Sequence, residues 1–419
     1  MTNPTHAPPL TRRAALAGAG ALGLAAASTR GARAQSTAPL KVGFLTVKTG
    51  PLAAGGIQEE QGLNLFLQDR GMKLAGRPVQ LFTADTGGVP ANTRAKAQEL
   101  VERDGVHVII GPLAAFEALA IDDYIREKQI PVLCEAAAED ITQRKADPWV
   151  VRVTSSSAQC TQPLADFARK ELKYNRMALI GDDFAYGHEQ NAGFQRVFEE
   201  GGGKVVQKLW PPLNAPDYGT YIAQLKPDID AIFMSFAGSN GLKFFKSYKE
   251  YGGDKPILGG MTAVDEATLQ QMGDDAIGVI SACFYSAQLD NPPNKKFVAE
   301  MMKEYKNEPG YYASGCYVAG RVLEAGLEKT KGNIEDKQAF MDALRSLKIE
   351  DSIRGPMSFD KYGNVIGNIY IRKVEKKGGQ MVNSVIKTYP NVSQFWSYDP
   401  AEFLKNPVYS RDWPPAKNL

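Results

Sequence analysis

Apolar strand-like runs alternate with helical patterns from the start of the folded part of the sequence. Val106–Ile110 is apolar except for His107 and ends at Gly111-Pro112, a pattern typical of a strand buried on both faces of a parallel sheet. Ile130–Cys134 is a second run of this kind. Each follows a helical pattern, at Pro90–Arg103 and at Phe116–Lys128. Strand and helix in this succession predict a doubly wound parallel sheet.

The alternation restarts after residue 149, which predicts a second α/β lobe. Strand-like runs continue to about residue 282, and three helical patterns follow between residues 295 and 347. Two late strands are predicted near Ile369–Lys373 and Val382–Thr388, and a tail rich in Pro, Trp and Tyr begins after Tyr389. The restarted strands are Trp149–Val153, Met177–Gly181, Val205–Trp210, Ala231–Phe236, Pro256–Gly259 and Ile277–Ala282, and the helices predicted between the later strands are Tyr218–Lys226, Leu242–Tyr251 and Asp265–Met272.

The first 34 residues have the pattern of an export signal. Arg12-Arg13 precedes an Ala, Gly and Leu run over 14–27, and Ala32-Arg33-Ala34 is an A-x-A cleavage pattern. A twin arginine before a mild apolar run is typical of the bacterial twin-arginine route. The run is short for a membrane span. We therefore expect cleavage after Ala34 and a periplasmic mature chain.

The charge balance depends on this segment. The full sequence has 49 Lys and Arg against 47 Asp and Glu, a net charge of +2. The export segment holds four arginines and no acidic residue, so its removal leaves a net charge of −2. A near-neutral chain without a sustained basic run argues against nucleic acid as a partner.

Four cysteines remain after the export segment: Cys134, Cys160, Cys283 and Cys316. An exported chain meets a compartment that permits disulfides, and four cysteines allow three pairings. Their spacing does not choose among these pairings, and buried free thiols are the other interpretation. The sequence has no C-x-x-C pattern, so a redox or zinc site of that kind is not predicted.

Short motifs occur in the order typical of one family, from about Leu40 to Tyr389. The motifs are Lys41–Leu45, Thr49–Ala53, Val108–Pro112, Ile130–Val132, Gly181–Gly187, Arg354–Pro356 and Phe359-Asp360. In this order and spacing the sequence resembles the leucine/isoleucine/valine-binding proteins. These are the type I periplasmic solute-binding proteins of ABC importers.

The resemblance implies an α/β clamshell of two doubly wound parallel-sheet lobes joined by three crossovers. Ligands of such sheets lie beyond the carboxyl ends of the strands, and the lobes close on them by a hinge motion. Lobe 1 is expected at 40–154 plus 286–359, lobe 2 at 155–285 plus 360–389, and a C-terminal tail at 390–419. The crossovers are expected near Thr154–Ser157, Phe284–Ala287 and Phe359–Lys361.

Two lobe 1 loops are expected to meet the ligand. In the first loop, Thr46–Gly56, members of the family offer a ring to the ligand at the position that Gly55 holds here. This chain therefore lacks that ring. In the second, the family places a hydroxyl for the ligand's carboxylate where this chain has Ala114-Ala115-Phe116. Backbone N–H groups of Ala115 and its neighbours, at the start of the next helix, can still receive an anion. Phe116 is either a ligand wall or a core residue.

Two more loops complete the expected site. Ala136, Ala137 and Ala138 replace a small-small-Thr stretch that grips the ligand's α-carboxylate in the family, so only backbone donors remain. Tyr186 matches the family's tyrosine that covers the ligand from lobe 2, and it is the strongest predicted site residue. Asp182-Asp183 is an acidic pair at a strand end, which could suit acid/base chemistry or a metal, and it is interpreted instead as a helix-capping Asp beside a polar group of the cleft.

Two positions bear on the ligand class. Ser239-Asn240 stands where the family often has tyrosines, and Met261-Thr262 stands where its amino-acid binders place a Glu for the ligand's ammonium. A buried ammonium without an acidic partner is costly. The chain therefore favours a hydrophobic or aromatic carboxylate, or a modified amino acid. Asp265, Asp217 or Glu135 would serve a free amino acid instead. The expected aromatic walls are Phe116, Tyr186, Phe284, Tyr285 and Tyr312.

Catalysis is not indicated by the motifs. Beyond the export segment the histidines are His107 and His188, and neither has a partner at ligand spacing. The sequence lacks G-x-S-x-G, G-x-x-x-x-G-K-[ST] and H-E-x-x-H. We therefore expect neither an enzyme nor a resident metal or cofactor.

The sequence predicts a periplasmic solute-binding protein of a branched-chain-amino-acid-type ABC importer. It would bind a small carboxylate between its lobes and act as a monomer with a membrane permease and its ATPase. Two alternatives stay open at this stage: a ligand sensor that signals through a receptor, and an exported α/β enzyme.

Overall fold

The computed structural model describes residue 1 and residues 38–419, so the predicted export segment and its cleavage site lie outside the described residues beyond Met1. Residues from 38 onward belong to one compact unit. Within this unit two β-sheets and their helices form two α/β lobes. Among the described residues, no helix combines the length and apolar character needed to cross a membrane.

Fifteen strands are described, and they are numbered along the chain. They are β1 Leu40–Thr46, β2 Lys73–Leu74, β3 Arg77–Asp85, β4 Val108–Ile110, β5 Val132–Cys134, β6 Val150–Arg152, β7 Arg176–Gly181, β8 Lys204–Leu209, β9 Ala231–Ser235, β10 Ile257–Gly259, β11 Ile280–Cys283, β12 Lys348–Ile349, β13 Met357–Phe359, β14 Val365–Lys377 and β15 Gln380–Val392.

The described α-helices are numbered in the same way. They are α1 Ala53–Asp69, α2 Pro90–Gln98, α3 Ala115–Lys128, α4 Ser157–Lys170, α5 Ala185–Glu200, α6 Gly219–Ile222, α7 Asn240–Glu250, α8 Glu266–Met272, α9 Pro292–Tyr305, α10 Tyr311–Lys329, α11 Lys337–Arg345 and α12 Pro400–Phe403. A π-helical turn, Glu99–Arg103, continues α2, and short 3₁₀ turns lie at Glu139–Thr142 and Gly273–Ala276.

The first sheet has the order β2-β3-β1-β4-β5-β6, and all its pairings except β2 with β3 are parallel. Every residue of β4, β5 and β6 is buried. This explains why the apolar runs of the sequence predicted these strands, since a parallel strand covered on both faces needs no polar face. The predicted parallel sheet is confirmed here.

The second sheet is mixed rather than parallel throughout. Strands β8, β7, β9, β10 and β11 are parallel neighbours, whereas β12 to β15 are added antiparallel. The join is the antiparallel pairing of β11 with β14. The two short late strands of the prediction are 13-residue strands that form one hairpin. Gly378 and Gly379 make its turn at φ +57° and +86°, as a two-residue hairpin turn requires.

One predicted helix is much shorter than expected. The pattern over 218–226 folds as α6, a single turn at Gly219–Ile222. After that turn, Lys226 donates its backbone N–H to the Gln207 side chain and its ammonium to the Val206 carbonyl, both on β8. These contacts with the strand replace the helical hydrogen bonds.

Helix α10 packs very closely on α1. A Cβ at Gly62 of α1 would lie 2.0 Å from the carbonyl oxygen of Ala313, so only glycine permits this approach. One turn further, Gly320 of α10 faces the Phe66 ring. The contact fixes the start of α10, which carries Tyr311 and Tyr312, against the first lobe.

Three fully buried arginines donate hydrogen bonds to backbone carbonyls in the segments that connect strands and helices. Arg152 of β6 donates to the carbonyls of Ala136 and Ala138, and Arg354 donates to those of Val153 and Thr154. Arg372 of β14 donates to the carbonyls of Tyr285 and Met261. Buried carbonyls outside a strand ladder need such donors.

The C-terminal segment, residues 393–419, packs against both α4 and α5. Phe395, Phe403 and Tyr409 form an apolar cluster with Ala158 of α4 and Ala192 of α5. Outside this cluster, the segment bonds to elements of both halves. Arg144 donates to the carbonyl of Asn406, Arg196 of α5 donates to the Tyr409 hydroxyl, and Arg411 pairs with Asp183.

The four cysteines are buried free thiols, which decides between the two interpretations that spacing left open. Burial raises the pKa of Cys134 to about 12 and that of Cys283 to about 11. Burial likewise raises the pKa of Cys160 and Cys316. Because the thiolate is the reactive form, all four should be inert in the folded protein.

We therefore expect a thiol reagent such as DTNB to label none of the four cysteines rapidly in the native protein and all four after denaturation without reductant. Release of the thionitrobenzoate chromophore measures this. Two or fewer thiols in the denatured protein would contradict the free-thiol assignment. Rapid native labelling of one thiol would contradict its burial.

Candidate functional site

A small cavity lies where loops from both sheets meet. Its walls come from the loops that follow β1, β4, β5, β7, β9 and β10, together with the start of α10. All six loops leave the carboxyl ends of parallel strands, the edge at which doubly wound sheets bind ligands. The lining residues are Leu52, Leu113, Ala114, Ala115, Ala137, Phe184, Tyr186, Ala237, Thr262, Tyr311 and Tyr312.

The N-terminus of α3 supplies hydrogen-bond donors to this cavity. Ala114 precedes the helix in extended conformation, and its N–H donates to the Glu117 carboxylate at 2.9 Å. Within residues 38–419 the N–H groups of Ala115 and Phe116 have no acceptor. The first N–H groups of a helix and its dipole favour an anion. This end of the cavity can therefore receive a carboxylate without a cationic side chain.

Aromatic rings form the opposite part of the wall. Phe184 and Tyr186 are stacked with centroids 5.9 Å apart, and Tyr311 and Tyr312 meet edge to face at 5.0 Å. Ring pairs in these geometries present flat apolar surfaces to a ligand. The wall therefore matches an aromatic or flat apolar group.

The hydroxyl of Tyr186 is fixed by a directed chain of hydrogen bonds. It lies 2.6 Å from the Thr262 hydroxyl, and Thr262 donates its single proton to the carbonyl of Phe236 at 2.9 Å. Tyr186 must therefore be the donor to Thr262. Burial raises the pKa of Tyr186, so the ring is a neutral phenol at any physiological pH.

Two carboxylates near the cavity, in loops that follow strands of the second sheet, accept hydrogen bonds from backbone and side-chain donors. Asp265 accepts from the N–H of Ala267 at 3.0 Å and from that of Tyr311 at 2.7 Å. Asp182 accepts from the N–H of Ala237 at 2.8 Å and from the Asn240 amide at 2.8 Å. Both acids thus position lining residues. None of the lining side chains carries a formal charge.

Several contacts close the cavity between the two sheets. The Ser239 N–H, after β9, donates to the carbonyl of Pro51, after β1, at 3.1 Å. Phe116 of α3 meets Phe184 at 5.4 Å between ring centroids. The Asp265 bond to the start of α10 is a third contact of this kind. The structure therefore has the cleft closed over the cavity.

A family model described as "Periplasmic binding protein" matches residues 39–380. The chain belongs to this family. The predicted resemblance to leucine/isoleucine/valine-binding proteins is confirmed, and so is the predicted type I periplasmic-binding-protein fold. The family consists of solute-binding proteins rather than enzymes.

Relatives of this periplasmic binding protein differ in the ligands that their names state. A Brucella melitensis protein named "Leu/Ile/Val-binding protein homolog 6" is 27% identical over 360 residues, 84% of this chain and 91% of the relative.

A solved solute-binding protein of an ABC transporter from Rhodopseudomonas palustris BisB5, in complex with 3,4-dihydroxybenzoic acid, is 32% identical. Its TM-score is 0.81, over 85% of this chain and 98% of that one. A second R. palustris solute-binding protein, in complex with benzoate, is 26% identical with a TM-score of 0.80, over 85% of this chain and 98% of that one.

The structure brings five of the predicted site residues to the cavity wall. These are Ala115, Ala137, Tyr186, Thr262 and Tyr312. Ala136 and Ala138 flank Ala137, but their carbonyls accept from Arg152. Their role in this periplasmic binding protein is therefore to hold the loop.

Five other predicted residues lie outside the lining set. Phe116 contacts the cavity wall through Phe184, and a Cβ at Gly55 would lie 2.7 Å from the Tyr312 ring, so Gly55 makes room for that ring. Ser239 bonds to Pro51, and Asn240 donates to Asp182. Tyr285 lies in the core, where its hydroxyl donates to Asn294 at 2.7 Å.

The predicted helix-capping Asp of the pair Asp182-Asp183 is wrong, since no side chain caps α5. Phe184 is the N-cap of α5, and the Asp182 carboxylate reaches across to the loop after β9 instead. The second residue of the pair, Asp183, contacts His188 at 2.7 Å. Lys48 is a half-exposed lysine paired with Glu60 at 2.8 Å, so it does not enter the cavity.

Sequence reasoning missed six lining residues: Leu52, Leu113, Ala114, Phe184, Ala237 and Tyr311. Five of the six lie within two positions of a predicted residue, so the prediction found the right loops but not every residue of them that faces the cavity. Phe184 and Tyr311 carried a usable signal, since each is an aromatic residue within two positions of a predicted aromatic site residue.

Buried carboxyl groups should make the folded state less stable as pH rises. Burial raises the pKa of Asp182 to about 7 and those of Glu135 and Glu266 to about 8. Their unfolded values are near 4. Between pH 6.5 and 8.5 the folded chain therefore holds more protons than the unfolded chain, and its free energy of unfolding falls with rising pH.

We expect the Tm to be lower at pH 8.5 than at pH 6.5 by about 2 °C or more, measured by calorimetry in buffers of equal ionic strength. Glu135→Gln keeps the side-chain shape and removes one titration, so it should reduce the slope. A Tm that rises over this interval would show that these acids are not protonated in the fold.

Proposed function

We propose that this chain is the extracytoplasmic solute-binding component of a branched-chain-amino-acid-type ABC importer and that its ligand is a small aromatic or hydrophobic carboxylate. The cavity carries this proposal: it joins the unpaired N–H group of Ala115, at the start of α3, to an uncharged aromatic wall. A benzoate-like acid has one anionic edge and one flat apolar body, which match these two parts.

A free α-amino acid fits the same cavity less well. Its ammonium would need an acidic partner, because burying an unpaired cation is costly. Asp265 already accepts two backbone N–H groups, and Asp182 accepts two donors on its far side. Asp217 accepts from the N–H of Gly219 on another part of the chain. The aromatic acids in the two R. palustris proteins support the same choice.

The remaining parts of the proposal concern export and delivery. The twin arginine of the first 34 residues would direct the chain to the periplasm, where cleavage after Ala34 would release it. The lobes, at 40–154 plus 286–359 and at 155–285 plus 360–389, would open and close about the three crossovers. The closed, ligand-bound monomer would then dock on the permease, and the importer's ATPase would drive transport.

The first test is a thermal-shift panel of benzoate, 4-hydroxybenzoate and 3,4-dihydroxybenzoate against leucine, isoleucine and valine. Because a ligand that binds only the native state raises its stability, at least one aromatic acid should raise the Tm at millimolar concentration. The branched-chain amino acids should leave it nearly unchanged. Selective stabilisation by leucine, isoleucine or valine would overturn the ligand class.

A pair of variants tests the anion site itself. Ala115→Pro removes one unpaired N–H, and proline suits the first position of a helix after the extended Ala114. Ala115→Ser keeps that N–H and is the matched control. The proline variant should lose the aromatic-acid shift while it unfolds cooperatively, and the serine variant should keep it. Equal shifts would place the carboxylate elsewhere.

Closure of the cleft can be tested at Gly238. This residue has φ +56°, and a Cβ there would lie 2.2 Å from the carbonyl oxygen of Pro51 on the other side of the cleft. We expect Gly238→Ala to weaken binding of the best acid of the panel at least about tenfold in calorimetric titration, since each factor of ten needs only about 1.4 kcal/mol.

Gly252→Ala is the control for backbone strain. Gly252 has a similar φ of +72°, but a Cβ there meets nothing within 4 Å. This variant should bind as the wild type does. If both variants bind equally well, the Pro51 contact is not part of the ligand-bound form.

A further inference from the structure

Three ligand-type side chains converge beneath the cavity, at the contact of α1, α10 and the loop after β5. Glu59 comes from α1, Glu135 directly follows β5, and Cys316 comes from α10. One carboxylate oxygen of each glutamate and the Cys316 sulfur all lie within 4.8 Å of one another. All three residues are at most 1% exposed.

The one donor beside the carboxylate of Glu135 is the weak S–H group of Cys316. Neither of its two oxygens has a nitrogen or oxygen donor in the described part of the chain, and Oε1 of Glu59 has no partner either. Only Oε2 of Glu59 is served, by the Thr46 hydroxyl at 2.9 Å. Buried carboxylate oxygens are normally satisfied, so three that lack a nitrogen or oxygen donor at a single point call for an electron-pair acceptor.

No neighbouring nitrogen or oxygen donor bonds to this carboxylate. Arg354, the cation that acts on Glu135, donates through Nη1 to the carbonyls of Val153 and Thr154 and lies 4.0 Å from the Phe284 ring centroid, while its Nε and Nη2 have no hydrogen-bond partner in the described part of the chain. Tyr311 and Thr154 donate to the backbone carbonyl of Glu135 rather than to its carboxylate. These two bonds hold the backbone of Glu135 while its side chain points at Glu59 and Cys316.

We propose that Glu59, Glu135 and Cys316 form a binding site for one divalent transition-metal ion, for which zinc is the best match. A thiolate with two carboxylates suits Zn²⁺ in donor type, and both oxygens of Glu135 are available for a fourth bond. No redox change is involved. Each donor gives an electron pair to the ion, and the protons carried by the thiol and the carboxyl groups leave to the solvent.

Binding of an ion would displace protons from the cluster. Burial and the neighbouring acid raise the pKa values of Glu59 and Cys316, and burial raises that of Glu135. The cluster is therefore protonated when no ion compensates it. A divalent ion would replace these protons, and it would join α1 to the loop after β5 and to α10, which both carry cavity residues.

Cobalt substitution is the direct test, because a thiolate bound to Co²⁺ gives a charge-transfer absorption band in the near ultraviolet. The full mature protein, freed of any affinity tag and treated with EDTA, is incubated with CoCl₂ or ZnCl₂ and separated from free metal. We expect about one ion per chain, the thiolate band with Co²⁺ and a raised Tm with Zn²⁺.

Variants assign the band to this cluster. Cys316→Ser and Glu135→Gln should each remove the band and the zinc-dependent rise in Tm. Cys283→Ser, which alters a buried thiol of the other sheet, should keep both. Circular dichroism checks that each variant is folded, and the wild-type measurement stands without them.

Two results would overturn the proposal. One is a wild-type protein that binds less than about a tenth of an equivalent of metal after prolonged incubation near its Tm, where the buried site opens. The other is metal binding without a thiolate band, or with a band that survives Cys316→Ser, which would place the ion on surface groups such as His188 and Asp183.

Discussion

The placement of the cavity depends on buried guanidinium groups that bond to main-chain carbonyls. Arg152, Arg354 and Arg372 each reach carbonyls that have left their strand and can no longer use the ladder. Arg152 fixes the loop that presents Ala137, and Arg372 fixes the Met261 carbonyl next to Thr262. An unpaired charge inside a protein is costly, so these arginines stay buried only if the carbonyls remain in place. The loops are therefore held by polar bonds that tolerate little movement.

The fold was predictable where burial leaves a simple trace in the sequence. Runs such as Val108–Ile110 and Val132–Cys134 are apolar because both faces of the strand are covered. The β14–β15 hairpin was predicted only in part, since its ends are charged and exposed and its Gly378-Gly379 turn is short.

The loops of the site were predictable from topology, because parallel strands end at one edge. Which side chain of each loop faces inward was not, as Tyr285 shows with its core partner Asn294. The Glu59, Glu135 and Cys316 cluster has no local spacing at all, and only the tertiary fold joins it.

The cavity can bind an anionic group although no charged side chain lines it. Partial charges on the N–H groups of α3 replace an arginine or lysine, while Asp182 and Asp265 already accept hydrogen bonds from backbone N–H groups and, in the case of Asp182, from the Asn240 amide. Such a wall recognises one anionic group and rejects a second charge of either sign, because any further ion would lose its water without compensation. The cavity then selects its ligand by leaving any further charged group without a partner, as much as by the contacts that it makes.

The C-terminal segment adds a thermodynamic consequence. It bonds to Arg144, between β5 and β6 of the first sheet, and to Arg196 of α5, beside the second sheet. Its Phe403 and Tyr409 rings are buried in the same region. If the sheets separate, at least one of these attachments must be given up, so the free energy of detaching the segment becomes part of the opening equilibrium. The chain end is thus linked to ligand affinity although it contributes no residue to the cavity, and its truncation would act on the open and closed populations from a distance.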